Sequence, residues 1–96
     1  MILKYSPQRR DNTLTIIKAA DTLTINGTVY DFTNLLNGET LPQEAIDCEF
    51  ICGDVERTNG ELIIPILLPL KRGASQLAKF PDPVTINTDG QVVLPR

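Results

Sequence analysis

The chain contains no histidine and no tryptophan. Without histidine it lacks the side chain whose ordinary pKa lies nearest neutrality, so a Ser-His-Asp or Cys-His arrangement is impossible within one copy. Cys48 and Cys52 are the only thiols, and a mononuclear zinc site would need carboxylates to complete its sphere around them. Aromatics are scarce: Tyr5, Tyr30, Phe32, Phe50 and Phe80. That leaves little material for a sugar cleft, or for a groove on which the bases of a single strand stack. The glycines are dispersed, and no glycine-rich phosphate loop occurs. The longest apolar run, Leu62 to Leu70, is interrupted by Pro65 and Pro69 and falls far short of the roughly 20 residues that span a bilayer. The opening residues, Met1 to Pro7, lack the roughly 7–15-residue apolar stretch of a signal peptide. These absences predict a soluble chain kept in a cytoplasm, with no membrane partner.

What is present is ordinary for one globular domain, residues 1–96: 42% hydrophobic and 22% charged. The charge is unevenly distributed. Residues 1–30 carry Lys4, Arg9, Arg10 and Lys18 against Asp11 and Asp21. Residues 31–61 carry eight acids against Arg57 alone, a net of −7, and residues 62–96 return to +2. An acidic middle does not bind phosphate backbones, and a sequence pI near 4.7 argues against nucleic acid as a partner. It suits basic protein surfaces, including those of a second copy aligned head to tail.

Three turn dipeptides dominate the local signal: Asn26-Gly27, Asn59-Gly60 and Asp89-Gly90, each flanked by strand-like residues. A two-residue loop at Asn26-Gly27 pairs Ile25 with Thr28 and Leu23 with Tyr30, and puts Phe32 on the same face. At Asn59-Gly60 it pairs Arg57 with Leu62, Val55 with Ile64, Gly53 with Ile66 and Ile51 with Leu68. Pro65 cannot donate to a ladder, so its strand is an edge there, or bulges. At Asp89-Gly90 it pairs Ile86 with Val93 and Val84 with Pro95. Weaker strands are expected over 2–5 and 14–18, the second joined to the next by a tight connection at Ala19-Ala20-Asp21. Thr40-Leu41-Pro42-Gln43 reads as a capping box opening one short helical turn, and residues 74–79 suit another. Residues 33–45 and 69–83 read as the long loops.

The expected fold is mainly β: seven or eight short antiparallel strands in a small sandwich or partly open barrel built from hairpins, with one short helical turn. Its core is Leu14, Ile16, Leu23, Ile25, Tyr30, Phe32, Ile51, Val55, Ile64, Ile66, Leu68, Ile86 and Val93. Cys48 and Cys52 fall on one strand, where four residues span roughly 13 Å. Bridged Cα atoms lie about 4.4–6.8 Å apart, so both thiols are expected free. Asp47, Glu49, Asp54 and Glu56 cluster in sequence. Paired carboxylates suffice for glycoside hydrolysis, but Asp54 and Glu56 sit near a solvent-exposed hairpin tip where pKa values stay ordinary. No Asp-x-Asp-x-Asp-Gly loop supports calcium. No catalytic, cofactor-binding or metal-ligating residue is therefore assigned, and the chain is not expected to be an enzyme. Arg9-Arg10 and Lys71-Arg72 are the tight basic pairs, each read as a solvated turn. Protein–protein contact remains, through edge strands and charge.

Several stretches are distinctive together: Lys4-Tyr5-Ser6-Pro7-Gln8-Arg9-Arg10-Asp11, Leu23-Thr24-Ile25-Asn26-Gly27, Gly53-Asp54-Val55-Glu56-Arg57, Leu67-Leu68-Pro69, Phe80-Pro81-Asp82-Pro83 and Asp89-Gly90-Gln91-Val92-Val93-Leu94-Pro95. In this order they resemble a group of short, uncharacterised proteins encoded in tail-gene regions of bacteriophages and prophages. The resemblance implies a phage accessory or minor structural protein that contacts a tail component or itself, in the host cytoplasm or in the virion. It carries over no functional residue. Two other functions stay open: a phage-encoded modulator that binds a host protein through its acidic surface, and a small carbohydrate-binding module.

Overall fold

The computed structural model describes residues 1–74 and 76–95. Among the described residues nine strands make two sheets. In chain order, β1 is Ile2–Arg9, β2 Ile16–Ala19, β3 Thr22–Ile25, β4 Thr28–Asp31, β5 Thr40–Leu41, β6 Val55–Thr58, β7 Glu61–Leu70, β8 Val84–Thr85 and β9 Gly90–Gln91. One sheet is ordered β5-β6-β7-β1-β8, and the other β4-β3-β2-β9. A 3-10 turn covers Gln43–Ala45, and a four-residue helix, α1, covers Gln76–Lys79. The mainly β fold agrees with expectation, and neither sheet closes into a barrel.

The hairpin at Asn26-Gly27 has the expected register, Ile25 opposite Thr28 and Leu23 opposite Tyr30. Positive φ at both turn residues is the conformation that a two-residue loop needs to match strand twist. A two-residue connection at Ala20-Asp21, with positive φ at Ala20 alone, closes β2 onto β3 and sets Ala19 opposite Thr22. Alternation then sends Ile16, Leu23 and Ile25 inward. From the facing sheet come Leu3, Tyr5, Val55, Leu62, Ile64, Ile66 and Leu68, and the two sets join in one core.

The hairpin at Asn59-Gly60 keeps its register only near the tip, from Thr58–Glu61 to Glu56–Ile63. Further down, Ile51 bridges Ile66 rather than Leu68, because Cys52, Gly53 and Asp54 bulge out against Pro65. A slip of two residues preserves side-chain parity, so Ile51 and Val55 remain buried. β7 is therefore not an edge strand: it is central, and its chain opposite Pro65 bulges. The two prolines explain this arrangement. Odd-numbered residues of β7 turn their backbone groups toward β6: the Pro65 carbonyl accepts from Cys52 N–H at 3.1 Å, and Leu67 N–H donates to Phe50 C=O at 2.7 Å. Pro65 and Pro69, four apart, thus both lack donors on the β6 side. The other edge keeps every N–H, and β1 pairs with it over all eight residues, from Ile2–Ile63 to Arg9–Leu70, in parallel. That parallel pair corrects the expectation of a wholly antiparallel sheet. It also extends β1 four residues beyond Tyr5.

The third hairpin does not form. Val84 and Thr85 pair with Leu3 and Ile2, whereas Gly90 and Gln91 pair with Lys18 and Ile17 in the other sheet. The reason is the Asp89 carboxylate. It accepts from Ala20 N–H at 3.0 Å and from the Lys18 ammonium at 3.0 Å, so it caps a neighbouring turn instead of making its own. Consequently Val92 is buried, while Val93, expected in the core, is 87% exposed. Tyr30 and Ile86 pack against the core only partly. Thr40 lies in β5 and does not cap the 3-10 turn, whose N-cap is Pro42 without a side-chain bond. The expected loop over 33–45 is a crossover from β4 in one sheet to β5 in the other, and that over 69–83 begins with the end of β7 and contains α1. Cys48 and Cys52 are both free. They flank a turn, in which Ile51 N–H donates to Cys48 C=O at 3.3 Å, rather than sharing a strand.

Candidate functional site

Two concave surfaces among the described residues border the core. The first borders the edge strand β4. Two-residue hairpin geometry directs the backbone groups of Thr28 and Tyr30 to β3, so those of Val29 and Asp31 point away from the sheet. Beside them lies a cleft of about 250 Å³ between β4 and the 3-10 segment, lined by Val29, Tyr30, Asp31, Phe32, Leu41, Ala45, Ile46 and Asp47. Tyr30 bridges it, its hydroxyl donating to Asp47 C=O at 3.0 Å. Interaction with the Cys48 side chain, then burial, then the Cys48 and Asp47 charges push the Tyr30 phenol up to about 12.

Asp31 is held by three hydrogen bonds that favour its charged form. It accepts from the Thr33 hydroxyl at 2.5 Å, from Thr33 N–H at 2.9 Å and from the Thr22 hydroxyl at 3.3 Å. The Thr33 bonds above all hold its carboxyl below the usual range. The edge thus offers unpaired backbone donors and acceptors, a small cleft and a negative charge. Val29 adds an exposed apolar side chain on its outer face.

The second surface is a groove of about 560 Å³ where β7 ends. Leu14, Leu68, Leu70, Ala78 and Leu94 supply apolar walls, and Lys71 and Arg72 supply charge. Parallel pairing of β1 with β7 places Arg9 opposite Leu70, and Arg10 N–H donates to Leu70 C=O at 3.1 Å. The two basic pairs, read separately as solvated turns, therefore lie side by side at one end of the molecule. Arg10 faces a carboxylate, Glu49, at 3.6 Å.

Arg57, the lone cation of the acidic segment, holds the opposite end together. Its guanidinium donates to Asp21 Oδ2 at 3.1 Å, to Phe32 C=O at 3.2 Å and to the carbonyls of Leu35 and Gly60. One side chain so joins both sheets, the crossover loop and the hairpin tip. The four clustered acids do not form a pair. Asp54 accepts from Gln43 N–H at 2.8 Å, Glu49 faces Arg10, and Asp47 and Glu56 are exposed. Among the described residues no three His, Cys, Asp or Glu side chains come together as metal ligands. Nor is any helix among them long and apolar enough to cross a membrane.

Sequence reasoning missed both surfaces as surfaces. The cleft depends on the 3-10 turn folding back beside β4, and the groove on a parallel pairing between residues 61 positions apart. No family model, no curated protein and no solved structure matches the chain.

Proposed function

We propose that this chain is a non-catalytic phage accessory or minor structural protein that works through protein–protein contacts during tail assembly. The observation that carries the contact reading is the open edge of β4: a strand with outward backbone groups beside a cleft flanked by Asp31 and Asp47. Such an edge accepts an extended segment by strand addition, and the acids favour one bearing lysine or arginine. The phage setting rests on the resemblance of its ordered motifs to short tail-region proteins.

The test is mass spectrometry of purified particles and of tail-assembly intermediates, joined to in-cell cross-linking of the chain and of Val29→Pro. The expected result is cross-links from β4 to a tail component, lost in Val29→Pro, whose missing N–H breaks the added ladder. Cross-links only to host enzymes would overturn the tail reading. They would favour the modulator, which the −7 charge of residues 31–61 also suits.

A further inference from the structure

The two ends of β7 differ in both charge and shape. Nine steps of roughly 3.3 Å separate Glu61 from Leu70 by about 30 Å, in a molecule whose longest dimension is 40 Å. At the starting end the loop following β4 rests on the hairpin tip: Gly38 N–H donates to Arg57 C=O at 2.8 Å, and Gly60 N–H to Asn37 Oδ1 at 2.8 Å. This anchoring thrusts Leu36 outward, where it is 65% exposed. Glu39 lies against it, its carboxylate accepting from Leu36 N–H at 2.7 Å. Exposed Glu56 lies on the neighbouring β6. The starting end is therefore an apolar knob in an acidic setting. At the finishing end is the groove with apolar walls, flanked by exposed Lys71 and Arg72 and beside exposed Arg9.

We infer that these ends are complementary halves of one interface, and that a second copy of this chain docks Leu36 into the groove of the first. Charge complementarity selects the occupant: the knob carries carboxylates and the groove carries cations. Because the two patches lie at opposite ends of one molecule, the contact is heterologous. A docked pair keeps one free knob and one free groove, and repetition gives a ring or an open row. The inference rests on the protein-contact reading above and specifies its self-directed form, at surfaces separate from the β4 edge.

The experiment is sedimentation velocity over a concentration series, in low and high salt, on the full chain and two surface variants. Leu36→Lys blocks the knob and leaves the groove intact. The double variant Lys71→Glu, Arg72→Glu blocks the groove and leaves the knob intact. All three positions are solvent-exposed, and circular dichroism checks that each variant keeps the fold. The wild-type chain is expected to associate beyond a dimer at low salt and to dissociate as salt shortens the screening length from about 10 Å at 0.1 M to 3 Å at 1 M. Each variant alone is expected to be monomeric. Their mixture is expected to give a one-to-one pair that grows no further, the mark of a head-to-tail contact. Leu36→Ala is expected to weaken association by roughly tenfold. A wild-type chain that stays monomeric at low salt overturns the inference, as does association that both variants retain or a dimer that neither mixture nor salt alters. A monomeric chain still cross-linked through β4 to a tail component would end the self-docking inference and leave the tail reading standing. A self-associating chain absent from every assembly intermediate would do the reverse.

Discussion

Tyr5 reaches from β1 into the core with its hydroxyl buried and without a hydrogen-bond partner. Burial pushes its phenol up to about 12, because the phenolate would be stranded in an apolar setting. A group whose neutral form is favoured in the fold contributes stability below its unfolded pKa near 10, and that contribution fades as pH rises through about 12. Urea midpoints should therefore fall between those values. Tyr5→Phe should flatten that fall, and near neutrality it should match or exceed the parent by up to about 1–3 kcal/mol, since an unsatisfied hydroxyl is removed. An equally steep alkaline loss in Tyr5→Phe would show that other groups carry it, Tyr30 among them. The expected core leaves out Tyr5. It was assigned to a short strand, and only the long parallel partnership with β7 sets it opposite Ile66. Ile16, Leu23, Ile25 and Ile64 were legible as core because each lies next to a tight turn that fixes local register. Val93 was misplaced because its supposed turn residue, Asp89, had a better use elsewhere.

At the scale of elements, the bulge over Cys52-Gly53-Asp54 is where the β6–β7 hairpin departs from simple pairing. A β carbon added at Gly53 would lie 3.0 Å from Pro65 Cγ, so the bulge and the proline ring are fitted to each other. Gly53→Val should cost roughly 1–3 kcal/mol by crowding that contact. The same change in a Pro65→Ala background should cost less, with a coupling of about 0.5 kcal/mol or more in a double-mutant cycle read from urea midpoints. Strict additivity would mean that the two residues do not share the strain. A proline in an apolar run does announce some interruption, as it did here at Pro65. It does not announce on which side the ladder fails, since that depends on the parity set at the distant Asn59-Gly60 turn. The same parity left one edge of β7 complete, and with it the groove at its far end. The candidate site was thus hidden in pairing choices rather than in any motif.

For the whole molecule, carboxylates act as ties between segments far apart in the chain. Asp89 joins the last strand to the β2–β3 turn through Ala20 and Lys18, and its carboxyl is held below the usual range, first by the Ala20 N–H and then by Lys18. Asp31 is lowered by Thr33 within its own loop. A carboxylate with a depressed folded pKa contributes stability above its unfolded pKa near 3.8, and the contribution disappears as pH falls through the lower folded value. Acid should therefore loosen the attachment of residues 89–92 to β2. Asp89→Asn should weaken that attachment at neutral pH and reduce the remaining acid sensitivity, as read by amide exchange at Lys18, Ala20 and Val92 across the acid range. Unchanged protection of Val92 in Asp89→Asn would show that the backbone ladder holds β9 without the carboxylate.

The partnership of β1 with β7 has a kinetic side as well. Ile2 leaves the ribosome some sixty residues ahead of Ile63, its counterpart in the register. At roughly 5–20 residues per second this means about 3–12 s of waiting. During that interval the three-strand meander of β2, β3 and β4 has only local contacts to make and is free to assemble first, since short loops close fastest. The nascent β1, its Leu3 and Tyr5 still without the companion strand that buries them, is for those seconds the part of the polypeptide most open to capture by a chaperone or by another newly made chain.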